Sequence, residues 1–254
     1  MNFDPDQDHV KPFVHETPKM KSLHFSIAEV QSAMDLKRPD SLDLDYTRSM
    51  MGFLLFHPAP LRIGMIGLGG GSLAKFCYRN LPRADMTVLE INPHVIALRN
   101  EFLVPADDAR FRVIRADGAR YVRAHENAFD VLLLDGYDSD GLPGTLSSKR
   151  FYDDVFDCLR PSGVMVANIH LGLEEFALLV ARVGRSFDSP ALVVKEHESG
   201  NAIVFARKDR PLAADRIDGL DRPEAMAMAE WTVLQPAFDR IRAAVHATSR
   251  TVPG

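Results

Sequence analysis

A chain of 254 residues has room for one large α/β domain with a small appendage, and 46% hydrophobic against 26% charged residues is the balance of a soluble globular protein. A formal net charge of −5 with both signs well mixed argues against nucleic acid as the main partner. No apolar run approaches the roughly 18 residues of a membrane span, and the acidic, polar residues 1–6 lack the pattern of a signal peptide.

The two cysteines, Cys77 and Cys158, fall far apart inside predicted helices. That spacing suggests reduced thiols in a cytoplasmic setting, with no disulfide framework and no metal motif.

In chain order, residues 1–10 read as disordered. Residues 11–36 alternate in short strand-like runs and predict two or three antiparallel strands, with His15 and His24 on their surface. Residues 43–56 read as a helix, with Tyr46, Met50, Met51, Leu54 and Leu55 at helical spacing. Pro58 and Pro60 close this preamble, so a boundary is expected between a region 1–58 and an α/β domain 59–254.

The block that follows alternates. Strands are expected at 62–66, 86–90, 111–116, 129–134 and 163–169. Helices are expected near 72–80, 93–102, 117–125, 147–159 and 172–186. Continuous apolar strands alternating with helices imply a parallel sheet covered on both faces. The runs 191–197 and 202–207 lie too close for a crossover helix, so they must pair antiparallel. A doubly wound, mostly parallel seven-stranded sheet ending in an antiparallel hairpin is the layout of class I methyltransferase-like Rossmann folds. Residues 212–250 read as helical with a break at Pro223 and Trp231 in packing.

Four strand ends carry the chemistry. Residues 63–66 run straight into Gly67-Leu68-Gly69-Gly70-Gly71-Ser72, a strand, a tight turn and a helix start. Such a turn lets a ligand approach bare backbone, and the helix start offers N–H groups and a partial positive charge. Glu90, about twenty residues on, stands where a ribose diol is held in nucleotide-binding α/β folds. Asp117, followed by small Gly118 and Ala119, suits an exocyclic amine or a helix N-cap. Asp135 and Asp138 lie on the loop leaving the fourth strand, where paired carboxylates hold a cation or accept a proton. In a doubly wound sheet these ends meet in one crevice. His170, at the end of the fifth strand, suits a base, though such a histidine is more often structural. Ser72 replaces the third glycine of a dinucleotide fingerprint, which weighs against NAD.

The ordered set Gly67–Ser72, Leu89-Glu90-Ile91-Asn92-Pro93, Ala116-Asp117-Gly118-Ala119, Leu133-Leu134-Asp135-Gly136-Tyr137-Asp138 and Phe151-Tyr152 resembles the spermidine synthase (polyamine aminopropyltransferase) family over residues 11–208. The resemblance implies that Glu90 and the adjoining Ile91 serve the ribose, that Asp117 with Gly118 and Ala119 serves the adenine, and that Gln31 and the glycine turn contact the same ligand. It implies Asp135 as catalytic acid/base and Asp138 as holder of the amine. The implied activity is aminopropyl transfer from decarboxylated S-adenosylmethionine to a small-molecule amine, by a cytoplasmic homodimer without metal, membrane or nucleic-acid partner. A methyltransferase using S-adenosylmethionine and a non-catalytic nucleoside-binding homologue are the alternatives. Three departures from the family pattern stand out: Gly70 where an aspartate is usual, a longer loop after Asp138, and Thr47 and Ser49 where a tyrosine and an acid are expected.

Overall fold

The computed structural model describes residues 9–26, 30–136, 141–196, 200–212 and 217–249. The expected disorder at residues 1–10 falls almost wholly outside that range, as does Asp138.

Three short strands, β1 (Phe13–Glu16), β2 (Met20–His24) and β3 (Ser32–Asp35), form an antiparallel sheet of their own. This matches the alternation over 11–36. His24 departs from its expected surface place: it is buried, stacked on Phe13 at 5.2 Å, with the Ser22 hydroxyl 2.8 Å from its Nε2. A short helix α1 (Asp45–Met50) follows and tightens into a 3₁₀ turn over Met51–Leu55. The expected single helix 43–56 is therefore split. Its second half, Met51 to Leu55, is buried all round, so packing sets its geometry in place of a one-sided stripe.

The main sheet has seven strands: β4 (Arg62–Ile66), β5 (Asp85–Glu90), β6 (Phe111–Arg115), β7 (Phe129–Leu134), β8 (Leu159–His170), β9 (Leu192–Lys195) and β10 (Asn201–Arg207). Their order is β6-β5-β4-β7-β8-β10-β9. The first five are parallel, β10 runs antiparallel to β8, and β9 antiparallel to β10. The terminal hairpin is thus present, with its second strand inserted beside β8 and its first at the edge.

The connecting helices are α2 (Ser72–Asn80), α3 (Pro93–Ala97), α4 (Gly118–Ala124), α5 (Lys149–Cys158), α6 (Phe176–Ser186) and α7 (Met228–Ser249). Helix α3 stops five residues short of the expected 102, and turns run on to Leu103, which has φ +54°. Of the expected helix 212–250 only α7 forms; residues 217–227 are turns and extended chain, with Pro223 among them. Pro denies that stretch a helical donor. Trp231 packs edge-on against Phe238 as expected.

Period-two alternation divides β7 between two cores. Val131 and Leu133 join Phe53, Phe76, Phe205 and Phe238 under α1, α2 and α7. Leu132 and Leu134 join Phe151, Tyr152 and Val183 under α4, α5 and α6. A strand buried on both faces reads as a continuous apolar run, as Val131 to Leu134 of β7 do. Truncating Leu133, which is fully buried, to Ala would cost about 2–5 kcal/mol. Cys77 and Cys158 are free and buried, one in each core, and burial pushes both thiols up to about 12.

Candidate functional site

Because β4 to β7 are parallel, their carboxyl ends open on one edge, and the glycine turn, Glu90, Asp117 and Asp135 gather there. Asp135 leaves the end of β7, its main-chain N–H donating to the Ile66 carbonyl at 2.9 Å. Its Oδ1 accepts from Asn168 Nδ2 at 2.9 Å and its Oδ2 from the Tyr46 hydroxyl at 3.3 Å. Burial raises the Asp135 pKa above the usual carboxylate value, and the two hydrogen bonds oppose that rise without cancelling it.

Neither partner was singled out in the sequence. Tyr46 reads as part of the helical spacing over 43–56, and the family tyrosine is expected one residue later, at Thr47. Thr47 is instead buried, its hydroxyl donating to the Leu44 carbonyl at 2.5 Å. Asn168 had a visible signal: it is a polar residue inside the apolar run of β8.

Ser49, where an acid is expected, meets an ion pair instead. Glu196, just past the edge strand β9, accepts from Arg240 at 2.8 Å, and the same guanidinium group donates to the Ser49 hydroxyl at 3.2 Å. A carboxylate therefore braces α1 from β9 and α7, where local sequence shows only Ser49.

Glu90 is buried, and burial raises its pKa. Its Oε2 accepts from the Leu68 N–H inside the glycine turn at 2.9 Å, and its Oε1 from the Asn92 N–H at 2.8 Å. It also takes a bond from the Ile91 N–H, so it holds the turn in place and keeps one of its four lone-pair sites for a diol. Ile91 next to it is exposed. Asn92 caps α3, accepting from the His94 N–H at 2.9 Å.

Asp117 caps α4, accepting from Ala119 N–H at 2.9 Å and Arg120 N–H at 3.3 Å. Gly118 and Ala119 are buried at that helix start. Gln31 is half-buried, its N–H donating to the Leu23 carbonyl at 2.9 Å just before β3. The next residue, Ser32, lies over Gly69 and Gly70. His170 accepts from the Gly172 N–H at 3.1 Å, a local turn that fits the structural reading.

Two glycines of the turn are required by space. Gly67 has φ +93°, and a Cβ on it would sit 2.3 Å from the Asp135 carbonyl oxygen. Gly70 lies outside the positive-φ region, yet a Cβ there would sit 2.6 Å from Ser32 Oγ and 2.9 Å from Phe102 Cδ1. A side chain at position 70 therefore requires Ser32 and Phe102 to shift. Among the described residues no group of three or more His, Cys, Asp or Glu is placed to hold a metal, and no helix is long and apolar enough to cross a membrane.

Residues 45–180 match the model of the spermine/spermidine synthase domain. The chain is 35% identical over 216 residues to the polyamine aminopropyltransferase of Chromobacterium violaceum, covering 82% of this chain and 83% of that one. A probable spermidine synthase from Corynebacterium glutamicum superposes with a TM-score of 0.70 at 17% identity, over 89% of this chain and 82% of that one. A spermidine synthase in complex with the transition-state analogue AdoDATO superposes with a TM-score of 0.57 at 19% identity, over 93% and 89%. The glycine turn, Glu90, Asp117 and Asp135 all lie within the matched span, and with it and the 35% identity over most of both chains, the chain belongs to the spermine/spermidine synthase family of transferases.

Proposed function

We propose that the protein transfers an aminopropyl group from decarboxylated S-adenosylmethionine to a small amine, with Asp135 as catalytic base. The observation that carries this reading is the Asp135 carboxyl, half-buried at the crevice and held by Tyr46 and Asn168. The relative from Chromobacterium violaceum, a polyamine aminopropyltransferase by name, supports the amine acceptor. The neighbour crystallised with AdoDATO supports an S-adenosyl-type donor.

The chemistry fits the geometry. A neutral amine attacks the carbon beside the sulfonium, a C–N bond forms, the C–S bond breaks, and methylthioadenosine leaves as a neutral thioether. The proton lost by the amine passes to an Asp135 oxygen. A carboxylate whose pKa is raised is a stronger base than a free one, and it attracts the ammonium form of the acceptor beforehand. Asn168 and Tyr46 each hold one oxygen of that carboxylate.

In this reading Glu90, with Ile91 beside it, receives the ribose hydroxyls. Asp117, Gly118 and Ala119 line the adenine end, Gly67 to Gly71 lie under the sulfonium, Gln31 closes from the N-terminal sheet, and Asp138 holds the acceptor's far amine. The protein works as a cytoplasmic homodimer. The test is a transfer assay with putrescine and both donors. Spermidine formation from the decarboxylated donor supports the proposal. Binding of intact S-adenosylmethionine in preference to the decarboxylated form, without aminopropyl transfer, would overturn it in favour of a methyltransferase.

A further inference from the structure

A second concave site lies at the opposite end of the sheet from the crevice. A cavity of about 440 Å³ is walled by Phe56, His57 and Ser162 and by two arginines, Arg207 and Arg210. His57 precedes β4, Ser162 lies near the start of β8, and Arg207 ends the antiparallel strand β10, so all belong to the amino ends of the parallel strands.

Cationic chemistry gathered here is notable in a chain of net charge −5. Asp130, the nearby carboxylate that acts on His57, is already engaged. Its Oδ2 accepts from the Leu61 and Arg62 N–H groups at 2.8 and 2.9 Å, and its Oδ1 from Arg160 at 3.1 Å. Lys208, next along from Arg207, is turned away: its Nζ donates to the Leu159 carbonyl at 2.7 Å and lies over the Phe156 ring.

The wall also carries a conformational cost. Ser162 has φ +62°, a region glycine enters freely and serine does not. Ser162 lines the cavity together with the two arginines. Fork-shaped guanidinium donors, a hydroxyl and an imidazole in one concave site match the oxygens of a phosphate or carboxylate.

We propose that this cavity binds a small phosphate- or carboxylate-bearing anion, held by Arg207 and Arg210 with Ser162 and His57, at a site separate from the catalytic crevice. The test is calorimetry and thermal melting with inorganic phosphate, pyrophosphate and succinate, each matched in ionic strength by potassium chloride. At least one of these anions is expected to bind saturably to the wild type. Arg210 is exposed, so Arg210→Glu leaves the fold intact, and it is expected to weaken binding roughly tenfold or more. Arg207→Met, at a buried position, is the second variant. Methylthioadenosine is expected to leave anion binding unchanged. Stronger binding of phosphate or pyrophosphate assigns a phosphate ligand, and stronger binding of succinate a carboxylate. Binding of none of the three, equal stabilisation by potassium chloride, indifference to Arg210→Glu, or competition with methylthioadenosine would each overturn the proposal.

Discussion

The Tyr46 hydroxyl donates to Asp135 Oδ2 at 3.3 Å, across 89 residues of chain. That bond ties the short helix after the N-terminal sheet to the carboxylate at the end of β7. It also lowers the Asp135 pKa against the upward push of burial. Tyr46→Phe is therefore expected to lower kcat about tenfold, the scale of one hydrogen bond to a charged group. The acid limb of its pH–rate profile is expected to move to higher pH. An unmoved limb would show that Tyr46 does not act through Asp135.

Asp135→Asn separates function from stability. Loss of the base is expected to reduce kcat by roughly 10²-fold or more. The stability effect has the opposite sign. The folded pKa of Asp135 is raised, so the native state holds its proton more tightly than the unfolded chain. Its contribution to stability is fully present below the usual value of 3.8 and is lost as pH rises through the folded value. At neutral pH the wild type thus carries a half-buried, partly desolvated carboxylate that Asn removes, and the variant is expected to gain on the order of 1 kcal/mol. Thermal melts at pH 7 check this; a variant that melts lower contradicts it.

Glu90 has two roles, so its removal has two effects. Glu90→Ala is expected to lose about 2–4 kcal/mol of methylthioadenosine binding. It also strips the acceptor from the Leu68 and Asn92 N–H groups, at a cost of about 1–3 kcal/mol in stability. Calorimetry and denaturant unfolding on the same variant measure the two losses. Unchanged affinity would remove Glu90 from the ribose.

Gly70 tests whether packing or donor choice keeps glycine at that position. Since a Cβ meets Ser32 and Phe102, Gly70→Ala is expected to cost about 1–3 kcal/mol. Gly70→Asp, with the larger side chain, is expected to cost more. A stable Gly70→Asp variant with tighter binding of the decarboxylated donor would show that Ser32 yields easily.

Lys75 on α2 is fully buried, donating to the Phe102 carbonyl at 2.8 Å and to Met34 Sδ at 3.2 Å, so it joins β3 to the main domain. Burial lowers its pKa from 10.5 to about 8. The unfolded chain therefore holds the proton more tightly, and wild-type stability rises with pH between about 8 and 10.5. Lys75→Met lacks this rise. The stability difference between wild type and variant is expected to shift in favour of wild type over that window, and parallel curves would contradict the assignment.

The strand–helix alternation from residue 62 onward and the antiparallel end of the sheet were legible in the chain itself. Each depends on patterns within a dozen residues: a continuous apolar run such as β7, a glycine turn, or two strands too close for a crossover. The strand ends bearing Glu90, Asp117 and Asp135 were legible too, because the doubly wound topology brings such ends together whatever their spacing. What tertiary structure decided is the set of partners. Tyr46 looked like a core aromatic and Ser49 like a lost acid. Only the packing of α1 against β8, β10 and α7 shows that Tyr46 reaches Asp135 and that Glu196 and Arg240 meet at Ser49. Gly70 likewise stands where the family usually has an aspartate, and only the fold shows Ser32 and Phe102 closing on it. The physical reason is common to all three: periodicity encodes which face a residue takes, whereas a hydrogen bond or a clash depends on a second segment whose distance no local pattern records.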